Sequence, residues 1–411
     1  MIDYGIVGIG GFAATWVRCL AQLEREGIAR LAAAVVRRPE RYQAQVAQLQ
    51  AAGCSIYASL EAMLADGQGS LDVIGVPTGI AYHEPMAVSA MEAGFDVLVE
   101  KPLAGTVQEV QHLHEVEQRT GRWCAVGYQW LYSPTTRWIA SRLGDGGLGA
   151  VREARTMIVW PRDSAYYSRN AWAGALRHNN RWILDGPATN ATAHYVTQAL
   201  YYARASQGTP RPIESVRAEL YRARDIASYD TSCIEVRLAG GARVLHVVSH
   251  AVAEQHDPVI HLECEHGTVD WAADGDVAAI RYADGREERF ANPAFDDLQT
   301  LPLRQTARVA AGDEPFPTCG LSEAGSHVLA INLAFESSQG VHTIPSDGTR
   351  ILEPSGIVAV REMEGALAEA YASGAMLSDL GLPWTRSTEP VSAAGYDRFP
   401  RSPALLRALG C

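Results

Sequence analysis

Tyr4-Gly5-Ile6-Val7-Gly8-Ile9-Gly10-Gly11-Phe12-Ala13 is the stretch that decides the fold. Its apolar run, Tyr4–Ile9, reads as a short strand that ends in glycines. The residues after it, Ala13–Glu26, have helical spacing through Trp16, Leu20 and Leu23, and Gly27 stops them. Between strand and helix stands a G-x-G-x-x-(G/A) arrangement, Gly8-Ile9-Gly10-Gly11-Phe12-Ala13. Gly8 permits the tight turn, Gly10 lets backbone approach a pyrophosphate, and Ala13 is small enough for the helix to pack on the strand. The helix N-terminus then offers free N–H groups and a partial positive charge to phosphates. Such a match is weak alone and strong as the first β-α turn of a βαβ series.

The series is present. Apolar strand patterns at Leu31–Val36, Leu71–Val76, Asp96–Val99 and Trp123–Val126 alternate with helical patterns. The helices run from Pro39 to about Ala52, up to Leu64, over Pro85–Ala93 and over Thr106–Thr120. Repeated β-α units of this length predict a doubly wound parallel sheet, an α/β Rossmann domain over residues 1–127. After Gly127 the period changes to two, at Arg152–Val159, Ser215–Tyr221, Ser232–Leu238, Ala242–Ser249, Ile260–Glu265 and Ala278–Tyr282. Turn signals separate these runs, and Ala188–Tyr202 and Ser322–Ser338 are helix candidates. Residues 128–411 therefore read as a second, α+β domain with a large, mostly antiparallel sheet, one face covered by helices. The tail beyond Leu382, rich in Pro, Ser, Thr and Arg, reads as a wrapped or loose arm.

The 411 residues carry a net charge of −12, which argues against general affinity for nucleic acid or anionic membrane. No window approaches the roughly 18 to 20 apolar residues of a membrane span. Met1-Ile2-Asp3 leads straight into a strand without a signal-peptide pattern. The 7 cysteines are scattered and odd in number, as expected of reduced thiols in a cytoplasmic protein. The histidines His246, His250, His256, His261 and His266 invite a metal reading. Strand geometry opposes it, because residues four apart along a strand lie about 13 Å apart, and no metal site is expected.

Two positions carry the chemistry of the first domain. The acid that would bind a ribose 2′-OH is missing at the second strand's end, which reads Val36-Arg37-Arg38-Pro39. Two guanidiniums lean toward the 2′-phosphate of NADP(H) over NAD(H), since arginine pairs bidentately with phosphate. A solvated basic pair at a helix start is the alternative. The strand Asp96–Val99 closes on Glu100-Lys101-Pro102. Ligands of open α/β sheets bind at these carboxyl ends, and the proline stiffens the backbone that presents the lysine.

These pieces together resemble the glucose-fructose oxidoreductase / inositol dehydrogenase / MocA (Gfo/Idh/MocA) family. They are Gly8-Ile9-Gly10-Gly11, Val76-Pro77-Thr78 with His83, Glu100-Lys101-Pro102-Leu103, Val126-Gly127-Tyr128 with Pro134, and a helix bearing Asn190 and His194. The resemblance implies a nicotinamide cofactor and a sugar, polyol or related substrate that exchanges hydride at a carbinol carbon. It implies a second domain that forms a homodimer or homotetramer face, and often a cis Lys-Pro bond. It gives Lys101 contact with the reacting hydroxyl and makes His194 the acid/base. Pro77, Thr78, His83 and Glu100 join Gly8, Gly10, Gly11, Phe12, Ala13, Arg37, Arg38 and Lys101 as cofactor-side residues.

The sequence departs from the family at Asn190, which stands where an aspartate is usual, four residues before His194. Asparagine orients by hydrogen bonds but cannot raise a neighbouring base's pKa by charge. Asp185, five residues before it, is the nearest acid and the candidate to compensate. The segment Tyr128-Gln129-Trp130-Leu131-Tyr132 predicts a more aromatic pocket wall, suited to stacking sugars. The run from Trp160-Pro161-Arg162 to Trp172, with Tyr166, Tyr167 and Arg169, reads as a substrate-binding loop or a subunit contact. Asn190, Tyr128, Trp160, Arg162 and Tyr167 are the substrate-side candidates. Besides the oxidoreductase, two readings stand: a non-catalytic dinucleotide-binding sensor on the same fold, and NAD-assisted glycoside cleavage.

Overall fold

The computed structural model describes residues 1–205 and 211–410. The chain begins with β1 (Ile2–Val7), α1 (Ala13–Arg25), β2 (Ala29–Val35), α2 (Gln43–Ala51), β3 (Ser55–Tyr57) and α3 (Leu60–Asp66). It continues through β4 (Val73–Val76), α4 (His83–Glu92), β5 (Asp96–Val99), α5 (Val107–Thr120) and β6 (Cys124–Val126). The six strands form one parallel sheet in the order β3-β2-β1-β4-β5-β6. The order reverses between β1 and β4, the switch point at which such sheets open a crevice. The expected helix from Pro39 is shorter than its pattern: Pro39–Arg41 forms a single tight turn and α2 starts only at Gln43.

Strands buried on both faces read as continuous apolar runs, and β4 and β5 are such runs. Part of the cover arrives late in the sequence. The remaining elements are α6 (Pro134–Gly144), β7 (Val151–Val159), α7 (Ser164–Ser168), β8 (Arg177–His178), β9 (Arg181–Trp182), α8 (Ala193–Ala205), β10 (Ile213–Arg222), β11 (Thr231–Leu238) and β12 (Arg243–Ser249). Then follow β13 (His256–Cys264), β14 (Gly267–Ala272), β15 (Val277–Tyr282), β16 (Glu287–Ala291), α9 (Phe295–Leu298), α10 (Leu301–Ala310), α11 (Leu321–Ser338), β17 (His342–Thr343), β18 (Thr349–Leu352), β19 (Ile357–Val360), α12 (Met363–Ser373), β20 (Val391–Ser392) and α13 (Pro403–Ala408).

The segment Pro293–Gly325 groups with the first sheet in one compact unit. There Leu303 and Ala307 of α10 join Tyr4, Ile6, Trp16 and Leu98 in one core. The buried Tyr4 hydroxyl is satisfied by the Leu303 carbonyl at 3.0 Å and Thr306 at 2.6 Å. A division of the chain at 127/128 leaves out this returning segment, because local periodicity does not reveal which sheet a distant helix covers.

The second unit holds a 10-stranded sheet, ordered β16-β15-β14-β13-β7-β12-β11-β10-β17 with β20 on β10. It is mostly antiparallel, with parallel pairs at β7–β12 and β10–β17. Alternate residues of β12 face opposite ways. Leu245 and Val247 pack with Leu367 and Ala370 of α12, while His246 lies 3.4 Å from Thr192, just before α8. The tail is not loose. Val391 and Ser392 pair with β10, and Phe399 is buried edge-on to Trp182 and Phe335.

In the first unit, Gly75 of β4 makes room for α1. A Cβ there would come within 2.9 Å of the Trp16 ring and 3.0 Å of an Ile6 methyl. Gly75→Ala is expected to destabilise this unit by about 1–3 kcal/mol through overpacking. The check is a lowered unfolding midpoint, followed by intrinsic tryptophan fluorescence.

Candidate active site

A cleft of about 590 Å³ opens at the switch point of the first sheet. Gly8, Gly10 and Ala13 line one wall, Arg37, Arg38, Arg41 and Tyr42 the outer rim, and Pro77, Thr78, Gly79 and Tyr82 the side after β4. Gly8 takes φ +96, a conformation L side chains rarely adopt. Gly10 is needed for a different reason: a Cβ there would overlap the ring and hydroxyl of Tyr42. The first turn of α1 carries no acidic residue to compete for its N–H groups.

The cleft fits a dinucleotide on two observations. One is the Gly10 cradle. The other is the Thr78 hydroxyl, which lines the cleft, is buried and has no partner among the described residues. Gly11 and Phe12 do not line it, and Phe12 is exposed. At the rim the three arginines are exposed and form no ion pair among the described residues. One acid, Glu61, also lines the cleft; its carboxylate is held below its usual range by its own N–H and by Ser59.

Lys101 is half-buried at the end of β5, and the Lys101-Pro102 bond is cis. Glu100 is 8% exposed and accepts from the Lys101 N–H at 2.9 Å. Burial pushes its carboxyl up to about 7, although Lys101 and the Trp16 indole pull the other way. Gly127 leaves space for this carboxyl, since a Cβ there would stand 3.1 Å from it.

His83 does not line the cleft. It is fully buried, with Nδ1 at 2.7 Å from the Pro102 carbonyl and Nε2 at 3.0 Å from that of Thr78. Burial lowers its pKa, while the hydrogen bonds to the Thr78 and Pro102 carbonyls pull the other way. His83 thus ties the Thr78 turn to the Lys101-Pro102 turn as a positioning residue.

In the second unit, Asn190 and His194 do not share a regular helix. Pro187–Ala191 is a π-helical turn, with the Thr192 N–H on the Pro187 carbonyl at 2.8 Å, and α8 begins at Ala193. Such turns concentrate at functional sites. Asp185 is buried and tied to Asn190: its Oδ1 accepts from Asn190 Nδ2 at 2.8 Å, and its Oδ2 accepts from the Gly174 N–H at 2.7 Å. Trp160 donates its indole N–H to Asp257 at 2.8 Å. Arg162 lies over the Trp160 and Tyr166 rings. Tyr167 lies under Arg224, and its buried hydroxyl has no partner among the described residues. Tyr128 differs from the expected pocket wall. It has no exposed surface, and its neighbour Tyr132 is buried with its hydroxyl on the Val126 carbonyl at 3.0 Å. The aromatic run serves packing within the first unit.

Residues 2–128 match the model of the oxidoreductase family with an NAD-binding Rossmann fold, Gfo/Idh/MocA. Over these residues the chain is similar to the Gfo/Idh/MocA family. A dTDP-3,4-didehydro-2,6-dideoxy-alpha-D-glucose 3-reductase of Actinomadura kijaniata is 26% identical over 43% of this chain and 52% of its own length. Inositol 2-dehydrogenase 2 of Saccharopolyspora erythraea is 26% identical over 47% of this chain and 57% of its own. The chain thus spans little more than half the length of these relatives. The WlbA dehydrogenase of Bordetella pertussis, solved with NADH and UDP-GlcNAcA, has the same fold, with a TM-score of 0.66 and 23% identity over 82% of this chain and 96% of its own.

Beyond the Gfo/Idh/MocA motifs, sequence reading missed Arg41 and Tyr42 at the cleft rim and the Asp185–Asn190 bond. The first two follow Arg37-Arg38-Pro39 after one residue, Glu40, and could have been read as part of the same turn. Nothing in the spacing of Asp185 and Asn190 signals their bond, because the π-helical turn sets it.

The raised Glu100 value has a consequence for stability. Between the ordinary value of 4.5 and about 7 the folded chain holds this proton more tightly than the unfolded chain. Stability from this group is therefore present at low pH and lost as pH rises through about 7, on the order of 3 kcal/mol in all. Glu100→Gln is expected to flatten the wild-type decline across that window. Denaturant midpoints taken at pH steps check it, and an unchanged slope would contradict the assignment.

Proposed function

We propose that the protein is a nicotinamide-dependent oxidoreductase that exchanges hydride at a CH–OH carbon of a sugar, polyol or related molecule. The observation that carries this reading is the cleft at the β1/β4 switch point, with its Gly8–Ala13 turn and its orphaned Thr78 hydroxyl. It is supported by the relatives, a sugar reductase and an inositol dehydrogenase.

When bound, the nicotinamide supplies the hydride chemistry. The chain's own residues bind, orient and move the proton. Gly8, Gly10 and the α1 N-terminus take the pyrophosphate. Thr78 hydrogen-bonds the cofactor, while His83 and Glu100 fix the two turns that present Thr78 and Lys101. Lys101 donates to the reacting oxygen, and His194 takes the hydroxyl proton on oxidation and returns it on reduction. Asn190 orients the substrate. The charge an aspartate would bring is set one hydrogen bond back, on Asp185.

The cofactor is NADP(H). Arg37, Arg38 and Arg41 at the rim outnumber the single Glu61 there, and guanidiniums match a 2′-phosphate.

Two measurements test this. In fluorescence titrations NADPH is expected to bind at least about tenfold tighter than NADH, and the Arg37→Ala/Arg38→Ala double variant to lose most of that preference; tighter NADH binding would overturn the NADP(H) assignment. In assays of NADP+ reduction across sugars and polyols, Lys101→Ala and His194→Ala are each expected to lower kcat by about 10²–10⁴. Full activity in Lys101→Ala would remove the mechanism. Cofactor binding without turnover on any member of the panel would favour a sensor.

A further inference from the structure

The loop after β7 alternates rings and guanidiniums. The Arg162 guanidinium carbon lies 5.2 Å from the Trp160 ring centroid and 4.9 Å from that of Tyr166. That of Arg169 lies 3.7 Å from the Tyr166 centroid and 5.4 Å from that of Trp172. Stacking on a ring fixes a guanidinium while leaving its in-plane N–H edge open for a planar anion.

Negative charge around this pair is scarce. Asp185 is 3.8 Å from Arg169, and its two oxygens already accept from Gly174 and Asn190. Asp163 is occupied in capping α7 through the Tyr166 N–H, and Asp257 by the Trp160 indole and Gln255. Arg162 has no ion-pair partner among the described residues, and its Nε is buried without an acceptor. Two guanidiniums thus converge on one ring; of the three acids nearby only Asp185 is in ion-pair range of either, and Arg169 also donates to the Tyr166 carbonyl.

A second group points the same way. His250 is 3% exposed, and its ring meets that of Tyr166 at 5.8 Å. Its Nδ1 stands 2.8 Å from the Trp160 carbonyl, so Nδ1 carries the proton. Nε2 then presents a lone pair, and it is buried without a partner among the described residues. Burial, with Arg162 and Arg169 close by, pushes the His250 pKa down to about 3, so this nitrogen stays an acceptor. A buried acceptor beside two ring-stacked guanidiniums, one of them without an ion pair among the described residues, suits a ligand that carries both a hydroxyl and an anion.

We infer that the substrate of this protein is an anionic sugar, whose carboxylate or phosphate is held by Arg162 and Arg169 and whose neighbouring hydroxyl donates to His250 Nε2. This rests on the oxidoreductase reading and narrows its substrate class. The link to the chemistry is the chain Arg169–Asp185–Asn190, which joins the anion seat to the residue proposed to orient the substrate.

The test is calorimetric titration of the full-length protein, with and without saturating NADPH, at fixed ionic strength. The probes are glucuronate, glucose 6-phosphate and glucose. At least one anionic sugar is expected to bind about tenfold or more tighter than glucose. Arg162→Gln should erase that preference without changing NADPH affinity, and Arg162→Lys should restore part of it. Tighter binding of glucuronate assigns the seat to a carboxylate, and tighter binding of glucose 6-phosphate to a phosphate. Equal binding of charged and neutral sugars, no binding of either anion, or a preference that survives Arg162→Gln overturns the inference. Failure of NADPH to bind while the anion preference stands would instead sink the dinucleotide reading.

Discussion

The turn from β1 into α1 is the constraint on which the functional half of this structure depends. A strand that ends at a sheet's switch point must reverse into a helix within a few residues. That path needs a residue tolerant of φ +96 at position 8, and a Cβ at position 10 would displace the Tyr42 ring. The same economy leaves the N–H groups of α1 unpaired at the mouth of a cleft. From it follow the rim of arginines after β2, the Thr78 turn after β4 and the Glu100-Lys101-Pro102 turn after β5. All are carboxyl ends of strands in one parallel sheet.

The Lys101 turn shows how much buried polarity such a site must carry. Burial raises the Glu100 pKa and lowers that of His83, so each is disfavoured in its charged form. Neither group reaches the cleft. Each is held by hydrogen bonds: Glu100 by the Lys101 N–H and the Trp16 indole, His83 at the Pro102 and Thr78 carbonyls. Buried polar groups are costly unless paired, so these pairings fix the backbone from which Lys101 and Thr78 project. The second unit uses the same device, with Asp185 buried beneath Asn190.

Much of the first unit was legible because short, regular periodicities determine it. Glycine spacing, continuous apolar runs and β-α alternation placed five of the six strands and the cleft side of Gly8, Gly10, Ala13, Arg37, Arg38, Pro77 and Thr78. What escaped reading depends on tertiary contact. Tyr128 and Tyr132 resemble a pocket wall in sequence, yet they pack inside, because aromatic composition does not tell a wall from a core. His83 resembles a ligand contact and proves a buried brace. Helix α10 lies far along the chain and covers a sheet formed at its start, through Leu303 and the Tyr4 hydroxyl. The Asn190/His194 spacing suggested one α-helical face, and the π-helical turn at Pro187 changes that geometry.

The central claim is that a nicotinamide dinucleotide occupies the cleft at the β1/β4 switch point. Amide hydrogen exchange with and without saturating NADPH tests it most directly, because it needs no substrate. The account predicts slowed exchange confined to four segments: residues 8–13, 37–42, 77–82 and 99–103. Unchanged exchange in the 8–13 turn, or protection that falls elsewhere on the chain, would contradict it.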